Sequence, residues 1–322
     1  MPDALAKRPD PRPGAPRTVV GMSAVLLPFD QDGEVDWASF EGLLGRTLDA
    51  GLIPAVNMDT GYVQLIGATA RARVLEVAAA VCGASAFVAG AYLDDRPGDP
   101  LDLDGHARAL DAVAARGGTP VVFPSHGLNG GSDDDWVAAH QELGRRADRF
   151  IAFELGSMFV PHGRIYSLAA YEALLDVDAC IGAKHSSLSR QAEWDRLAVR
   201  DRVRPEFLVL TGNDLAIDMI CDGSDYLLGL SAFAPDAFAE RDRRWTAGDP
   251  AFRELNDLLQ YLGFYAFRAP VPAYRHDAAM VLDARGWITS DRTPPGAVRR
   301  VDPVAERAVL ADILERLTAA TR

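Results

Sequence analysis

This chain of 322 residues has almost no lysine. Only Lys7 and Lys184 are present, so 31 of its 33 basic residues are arginine. A bias toward arginine codons accounts for the scarcity, but it does not account for the position of the lysine that remains in the body of the chain. Arginine keeps its proton in nearly every environment, whereas lysine can lose its proton and attack a carbonyl group. Lys184 is therefore the first candidate for a chemical role.

Cysteine is scarce too. Cys82, Cys180 and Cys221 are widely spaced and form no C-x-x-C pair. An odd, scattered set of this kind argues against a disulfide scaffold and against zinc bound by cysteine. Histidines such as His106 have no ligand-like partner at short spacing. We therefore expect no metal and no cofactor, and the use of cysteine fits a reducing, cytoplasmic location.

The sequence also lacks any uninterrupted apolar run of about 18 residues, the length that a membrane-spanning helix needs. No charged segment followed by an apolar one opens the chain, so no signal peptide is predicted. The net charge of −13 disfavours nucleic acid and anionic membranes as partners. Residues 1–17 contain five prolines and are expected to form a disordered leader.

What the sequence does contain is a regular alternation of short apolar runs with longer amphipathic segments over residues 18–247. The apolar runs are Val19–Leu27, Leu52–Met58, Ala86–Ala91, Pro120–Phe123, Phe150–Leu155, Ala179–Ala183, Phe207–Thr211 and Tyr226–Leu230. Short runs this apolar are typical of strands covered on both faces, and their alternation with helices predicts a parallel sheet. Eight such units predict an α/β fold, the (β/α)8 TIM barrel.

Two further observations complete the predicted fold. The first apolar run is followed by Pro28-Phe29-Asp30, without the glycine-rich turn that an open dinucleotide-binding sheet would need. Residues 248–322 are predicted to form a C-terminal helical extension packed on the barrel, with helices near 249–267, 276–283 and 303–318.

Lys184 falls one residue past the sixth apolar run. Because the active sites of such barrels lie where the strands end, we expect this lysine to project into the mouth of the barrel. Apolar neighbours there favour the neutral amine, which is the nucleophile. The alternative is a lysine that extends along the rim to pair with a carboxylate.

Polar residues follow several other predicted strands. They are Asp59-Thr60-Gly61-Tyr62 after the second strand, Ser125 and His126 after the fourth, Asn213 after the seventh and Ser231 after the eighth. The hydroxyl of Thr60 can relay a proton, and an imidazole such as that of His126 suits acid–base work. Asn213 has a second interpretation, as part of the cap of the next helix. Phe153 and Glu154 end the fifth strand, and because adjacent strand residues face opposite ways, only one should look into the barrel.

Together these segments resemble the dihydrodipicolinate synthase and N-acetylneuraminate lyase family of Schiff-base aldolases, from about residue 20 to the end of the chain. Residues 27–36 resemble the family's T-P-F-D…G-x-V-D opening, residues 59–62 its T-T-G-E loop, Gly182–Ser187 its G-x-K-D-S-S segment, and residues 211–214 its S-G-D-D. The resemblance implies a (β/α)8 barrel, imine chemistry at Lys184 and assembly as a homodimer or homotetramer.

The chain departs from the family at several functional positions. Asp59 replaces the first hydroxyl of the T-T-G loop and Tyr62 its glutamate, Ser125 and His126 replace a tyrosine pair, Phe153 replaces the proton-shuttling tyrosine, and Met158 replaces the carboxylate-binding arginine. Without that arginine a bidentate donor for a carboxylate is lost. The resemblance therefore implies that dihydrodipicolinate synthesis is not the reaction.

We predict that Lys184 attacks the carbonyl of a small polyhydroxylated or sugar-derived compound. The imine would then serve as electron sink for C–C cleavage, condensation or dehydration. Asp59 or Glu154 would take a proton from the substrate hydroxyl, with Thr60 and His126 orienting or relaying it. The predicted substrate contacts are Gly61, Tyr62, Ser125, Phe153, Asn213 and Ser231.

Two other functions fit the same residues. One is a barrel that binds a sugar-like ligand without turnover, with Lys184 as a hydrogen-bond donor, and the missing hydroxyl at Phe153 favours it. The other is an isomerase or hydrolase that uses the carboxylates at the mouth and forms no imine.

Overall fold

The computed structural model describes residues 14–321, so most of the predicted leader lies outside the described residues. Eight parallel strands close into a barrel in chain order, which confirms the predicted (β/α)8 TIM barrel. The strands are β1 (Gly21–Ala24), β2 (Ile53–Val56), β3 (Val88–Ala91), β4 (Thr119–Val122), β5 (Phe150–Leu155), β6 (Cys180–Ser186), β7 (Leu208–Thr211) and β8 (Asp225–Leu228). Nearly every strand residue is buried, as expected of strands that are covered on both faces.

Eleven helices occur in the described part of the chain. They are α1 (Trp37–Asp49), α2 (Ala68–Cys82), α3 (Leu103–Ala114), α4 (His126–Asn129), α5 (Asp133–Gly144), α6 (Leu168–Leu174), α7 (Arg190–Val203), α8 (Pro235–Ala247), α9 (Phe252–Ala266), α10 (Tyr274–Ala284) and α11 (Pro303–Ala320). Serine or aspartate side chains cap many of their amino ends, such as Ser189 at α7 and Asp302 at α11. Over residues 14–321, no helix is both long and apolar enough to cross a membrane.

The contacts within the chain divide it into two compact units. The central unit contains residues 86–227, with β3 to β7 and most of β8, together with residues 14–15. The terminal unit contains residues 16–85 and 228–321, with β1, β2 and the helices of the C-terminal region. The predicted C-terminal extension is thus grouped with the first two strands.

The strands of the central unit have one face toward the helices and one toward the inside of the barrel. Ala91, Val122, Ala152 and Ala183 pack with residues of α3, α5 and α6 in one apolar core, so they face outward. Residues next to them along each strand face inward, because successive strand side chains point to opposite sides. This alternation decides which of the predicted site residues lie inside the barrel.

Three local features differ from the sequence predictions. Lys184 lies within β6 rather than past its end, because β6 continues pairing with β5 as far as Ser186. The segment between β7 and β8 forms only a 3₁₀ turn, Ile217–Asp222, in place of the helix that the eight-fold alternation predicts there. His126, predicted only to follow the fourth strand, begins the one-turn helix α4.

Candidate active site

Lys184 points into the barrel from β6. It is paired in register with Phe153 of β5 and Leu210 of β7, so all three side chains lie on the inner face at one level. The Nζ atom lies 4.5 Å from the centroid of the Phe153 ring, and the side chain is almost fully buried. A cationic nitrogen over an aromatic face is attracted by the ring quadrupole.

Gly212 makes room for the lysine side chain. A Cβ atom at this position would lie 2.7 Å from Cε of Lys184 and would also clash with the hydroxyl of Ser186. Real Cβ atoms essentially never come this close to another heavy atom. The residue after β7 must therefore be glycine if Lys184 is to keep its position.

Three aromatic rings continue the inner face away from Lys184. The ring of Phe153 meets that of Phe123 edge to face, with 5.4 Å between their centroids, and Phe123 meets Tyr92 in the same way at 5.5 Å. We call Tyr92, Phe123 and Phe153 the aromatic wall. Edge-to-face pairs of this spacing are the favoured arrangement of aromatic side chains. The wall is a continuous row of aromatic rings that ends at the lysine, and its one hydroxyl is that of Tyr92.

Glu154 lies on the other face of β5, so its predicted role as a base beside Lys184 is corrected. Its carboxylate accepts two hydrogen bonds of 2.6 Å from the guanidinium of Arg196 and one of 3.0 Å from the backbone of Tyr166. His185 lies 3.0 Å away through Nδ1. Burial alone would raise the pKa of Glu154, but His185 and Arg196 lower it to about 2. The group is a buried anion that holds α7 to the strands.

Asn213 braces the loop after β6. Its side-chain oxygen accepts a 2.6 Å hydrogen bond from the backbone of Leu188, which has the left-handed φ of 59°, and its nitrogen donates to Glu193. Glu193 also accepts hydrogen bonds from Thr211 and Ser224. Both ends of the Asn213 amide are thus occupied within the protein. Its predicted contact with substrate is corrected to a supporting one.

The two predicted residues after β4 also have partners in the protein. The hydroxyl of Ser125 accepts a hydrogen bond from the backbone of Leu128 and lies 3.2 Å from Nε2 of His106 on α3, so it faces the helices rather than a substrate. The ring of His126 lies against that of His162, with 4.0 Å between the centroids. Burial and the neighbouring His126 lower the pKa of His162. The acid–base role of His126 stays a prediction.

The terminal unit contains a hydrogen-bonded chain of three oxygens. The hydroxyl of Tyr274 lies 2.9 Å from Oδ2 of Asp59 and 2.9 Å from Oγ1 of Thr60. Because a carboxylate can only accept, Tyr274 donates to Asp59, and Thr60 in turn donates to Tyr274. The oxygen of Thr60 can still accept a proton from a ligand. Thr60, Tyr274 and Asp59 therefore form a relay that ends on a base.

The carboxylate of Asp59 is held in place from the other side. Gln64 donates to its Oδ1, and the guanidinium of Arg275 lies 3.4 Å from the same oxygen and donates to the Asp59 backbone carbonyl at 3.2 Å. The Tyr274 ring stacks on Phe267 with 4.3 Å between centroids. These contacts fix both the base and the hydroxyl that serves it.

Gly61, Tyr62 and Ser231 have other surroundings than predicted. Gly61 lies in a 3₁₀ turn where an added Cβ would be 3.3 Å from the Val25 carbonyl, so it serves close packing of the turn. The Tyr62 ring is buried under the Arg275 guanidinium, 5.0 Å from its centroid, and burial raises the pKa of Tyr62 well above its usual range. The Ser231 hydroxyl donates to the carbonyl of Leu228. Their predicted contacts with substrate receive no support from this geometry.

Sequence reasoning missed three of the residues that organise these groups, Tyr274, Arg196 and Glu193. Each lies in a helix and is a polar residue of a kind that helices usually expose, and nothing in its spacing marks it as buried. Across residues 14–321, no group of three or more His, Cys, Asp or Glu side chains is arranged to hold a metal ion.

Comparison with known proteins identifies the fold. No model of a known protein family matches the sequence, and no curated relative matches it. The dihydrodipicolinate synthase of Thermotoga maritima is similar in structure with a TM-score of 0.77 and 16% identity, over 94% of this chain and 99% of that one. The dihydrodipicolinate synthase of Rhodopseudomonas palustris is similar to the same degree, with a TM-score of 0.77 and 16% identity, over 94% of this chain and 98% of that one.

A third structure is a prophage protein of the dihydrodipicolinic acid synthase family from E. coli in complex with pyruvate. Its TM-score is 0.76 and its identity 17%, over 93% of this chain and 98% of that one. Identities this low show a shared fold alone. The chain therefore has the fold of the dihydrodipicolinate synthase family over almost its entire length, as the sequence resemblance predicts.

Proposed function

We propose that this protein is a Schiff-base-forming lyase, a divergent member of the dihydrodipicolinate synthase family, which acts on a small carbonyl compound through Lys184. The observation that carries the proposal is the position of the amine. It is buried on the inner face of β6, lies over an aromatic ring and fits only because residue 212 is glycine. A lysine that served to pair with a carboxylate on the rim would not need this packing.

The chemistry follows from the amine. Nζ adds to the carbonyl carbon and water leaves, which gives a protonated C=N bond. This imine takes up the electron pair of the adjacent C–C or C–H bond as that bond breaks. Protonation at carbon and hydrolysis then release the product and regenerate Lys184.

Because residues 59–62 resemble the family's T-T-G-E loop, we assign the proton transfers to Asp59 as the base, with Thr60 and its hydrogen-bonded neighbour Tyr274 as the relay. A proton accepted by Thr60 is matched by one passed from Thr60 to Tyr274 and one from Tyr274 to Asp59. Three residues thus move one proton without a change in net charge at the two hydroxyls.

Borohydride trapping tests the imine. The full-length protein is incubated with a carbonyl compound and cyanoborohydride, and the intact mass and the peptide that contains Lys184 are measured. We expect one covalent adduct on Lys184 and none in Lys184→Met. An adduct elsewhere, or none with any carbonyl compound, would favour isomerisation or hydrolysis without an imine.

The variant Tyr274→Phe tests the relay separately. It should form the trapped adduct at the wild-type level, while exchange of the substrate α-hydrogen with deuterium from solvent falls about 100-fold, the usual contribution of a positioned acid–base group. Tyr171→Phe is the matched control, because that buried hydroxyl has no hydrogen-bond partner among the described residues. Equal losses in the two variants would contradict the relay.

The family resemblance also leads us to propose a homodimer or homotetramer, and the scattered, unpaired cysteines lead us to propose a cytoplasmic location. Light scattering on the purified full-length chain distinguishes these assemblies from a monomer.

A further inference from the structure

The covalent bond fixes where a substrate must lie relative to the aromatic wall. A C=N carbon is bonded to Nζ at about 1.3 Å, the length of a C–N bond with double-bond character. Since Nζ lies 4.5 Å from the Phe153 centroid, the imine carbon lies within about 6 Å of that centroid, and a substituent directed toward the ring contacts it. The group that the carbonyl compound carries on the side of the ring is therefore a neighbour of Phe153.

The neighbours of Phe153 at this level are apolar as well. Phe123 continues the inner face on one side of Phe153, and Leu210 is paired in register with Lys184 on the other. The nearby charged groups of β5 and β6, such as Glu154, are on the outer face. At this level of β4 to β7 the inward side chains other than the lysine are apolar, and the nearest polar group on β6 is the hydroxyl of Ser186, which lies beside Gly212.

A polar substituent would be poorly accommodated at such a surface. Hydroxyl groups placed against Phe153 and Phe123 would lose their bonds to water without replacement, which is costly. A carboxylate would lose its hydration and find no guanidinium at residue 158, which is a methionine that is 40% exposed. An aromatic ring, in contrast, can extend the edge-to-face row.

We propose that the aromatic wall is a specificity site that binds the apolar substituent of the carbonyl compound, with an aryl group as the best fit. The inference rests on the proposed imine at Lys184 and narrows its substrate class. It also replaces, for this side of the substrate, the polyhydroxylated group predicted from the sequence. That prediction relied partly on Glu154, which lies on the outer face of β5.

The first experiment compares aldehydes in the trapping assay. Benzaldehyde, glyceraldehyde and glyoxylate are each titrated against the full-length protein with cyanoborohydride, and each rate is divided by the rate with a free lysine derivative to remove intrinsic reactivity. We expect half-saturation by benzaldehyde at a concentration at least about tenfold lower than by glyceraldehyde or glyoxylate, the scale of one aromatic contact. Preference for either polar aldehyde overturns the proposal.

A matched pair of variants tests the wall itself. Phe123→Leu removes a ring of the wall, whereas Phe207→Leu removes an equally buried ring from the outer core. The benzaldehyde concentration that gives half-maximal trapping should rise about tenfold in the first variant and stay unchanged in the second. The corresponding glyceraldehyde concentration should stay unchanged in both variants. Phe153→Leu gives the same comparison if Phe123→Leu does not fold. An equal effect on both aldehydes contradicts the proposal.

Binding of benzyl alcohol to Lys184→Met separates this inference from the proposed function, because this probe cannot form an imine. One outcome is that no aldehyde is trapped, that benzyl alcohol binds to Lys184→Met, and that adding Phe123→Leu abolishes this binding. It would contradict the proposed imine and support the aromatic wall as a binding site. If glyceraldehyde is trapped on the wild-type protein and benzyl alcohol does not bind to Lys184→Met, the proposed imine is supported and the role of the aromatic wall in binding is contradicted.

Discussion

At the scale of single residues, the placement of Lys184 depends on a neighbour that has no side chain. Gly212 lies against Cε of the lysine, and Phe153 lies under its nitrogen. The first contact sets the path of the side chain and the second its end point. Lys184 is thus held by packing on two sides.

We expect Gly212→Ala to lower imine trapping at least about tenfold, because the added methyl group overlaps with Lys184 and forces it from its position. Overpacking of this kind also lowers the free energy of unfolding, by about 1–3 kcal/mol. Trapping is measured by intact mass and stability by urea unfolding. Gly42→Ala in α1 is the control, since a Cβ atom there has nothing within 4 Å, and it should leave trapping unchanged.

At the scale of elements, α7 acts as a clamp on the strands that carry the site. Its Arg196 binds Glu154 of β5, and its Glu193 binds Thr211 at the end of β7 together with Asn213. One helix therefore fixes strands on both sides of β6. The inner face can stay apolar because these polar contacts are on the outer face.

Arg196→Met should lower the free energy of unfolding by about 3–5 kcal/mol, because it leaves the buried Glu154 carboxylate without its main partner. Arg202→Met, on the same helix, removes an ion pair with Glu172 that is largely exposed and should cost less than about 1 kcal/mol. Urea unfolding at neutral pH measures both. Similar losses in the two variants would contradict the role of α7 as a clamp.

At the scale of the whole molecule, two buried carboxyl groups make the fold sensitive to pH. Burial raises the pKa of Glu193 to about 7, although Ser224, Thr211 and Asn213 donate hydrogen bonds that oppose the rise. Burial also raises the pKa of Asp277 to about 6. The folded protein thus binds these protons more tightly than the unfolded chain does. Their contribution to stability is complete below about pH 4 and is lost as the pH rises through 6 to 7.

Glu193→Gln should therefore flatten the dependence of unfolding free energy on pH between 5 and 8 and stabilise the protein at pH 8. The effect is on the order of 3 kcal/mol, from a rise in pKa between 4.5 and about 7. Glu154 does not affect the slope in this range, because its pKa of about 2 keeps its stabilising contribution complete here, and that contribution is lost only as the pH falls toward 2. Urea unfolding at several pH values measures the slope, and an unchanged slope in the variant would contradict the assignment.

The sequence sufficed for the barrel because each strand is a short run buried on both faces, and such runs stand out from the helices between them. The sequence also predicted correctly that Lys184 belongs to the sixth strand region and points into the barrel, although β6 continues beyond its apolar residues. The sequence could not show which of Phe153 and Glu154 faces inward. Successive strand side chains point to opposite faces, and only the pairing with the neighbouring strands shows which face is which. Nor could it find Tyr274, which is separated from Thr60 by more than two hundred residues and meets it only through the tertiary fold.

The aromatic wall has a consequence for the lifetime of the proposed intermediate. Imine formation releases a water molecule, and hydrolysis needs one back. Next to Phe153 and Phe123 a water molecule is poorly held, because rings offer it no hydrogen bonds. We therefore expect hydrolysis of an imine at Lys184, and its return to free lysine, to be slow. A long-lived enzyme–substrate adduct, with release as the slow step, follows from two phenylalanine side chains.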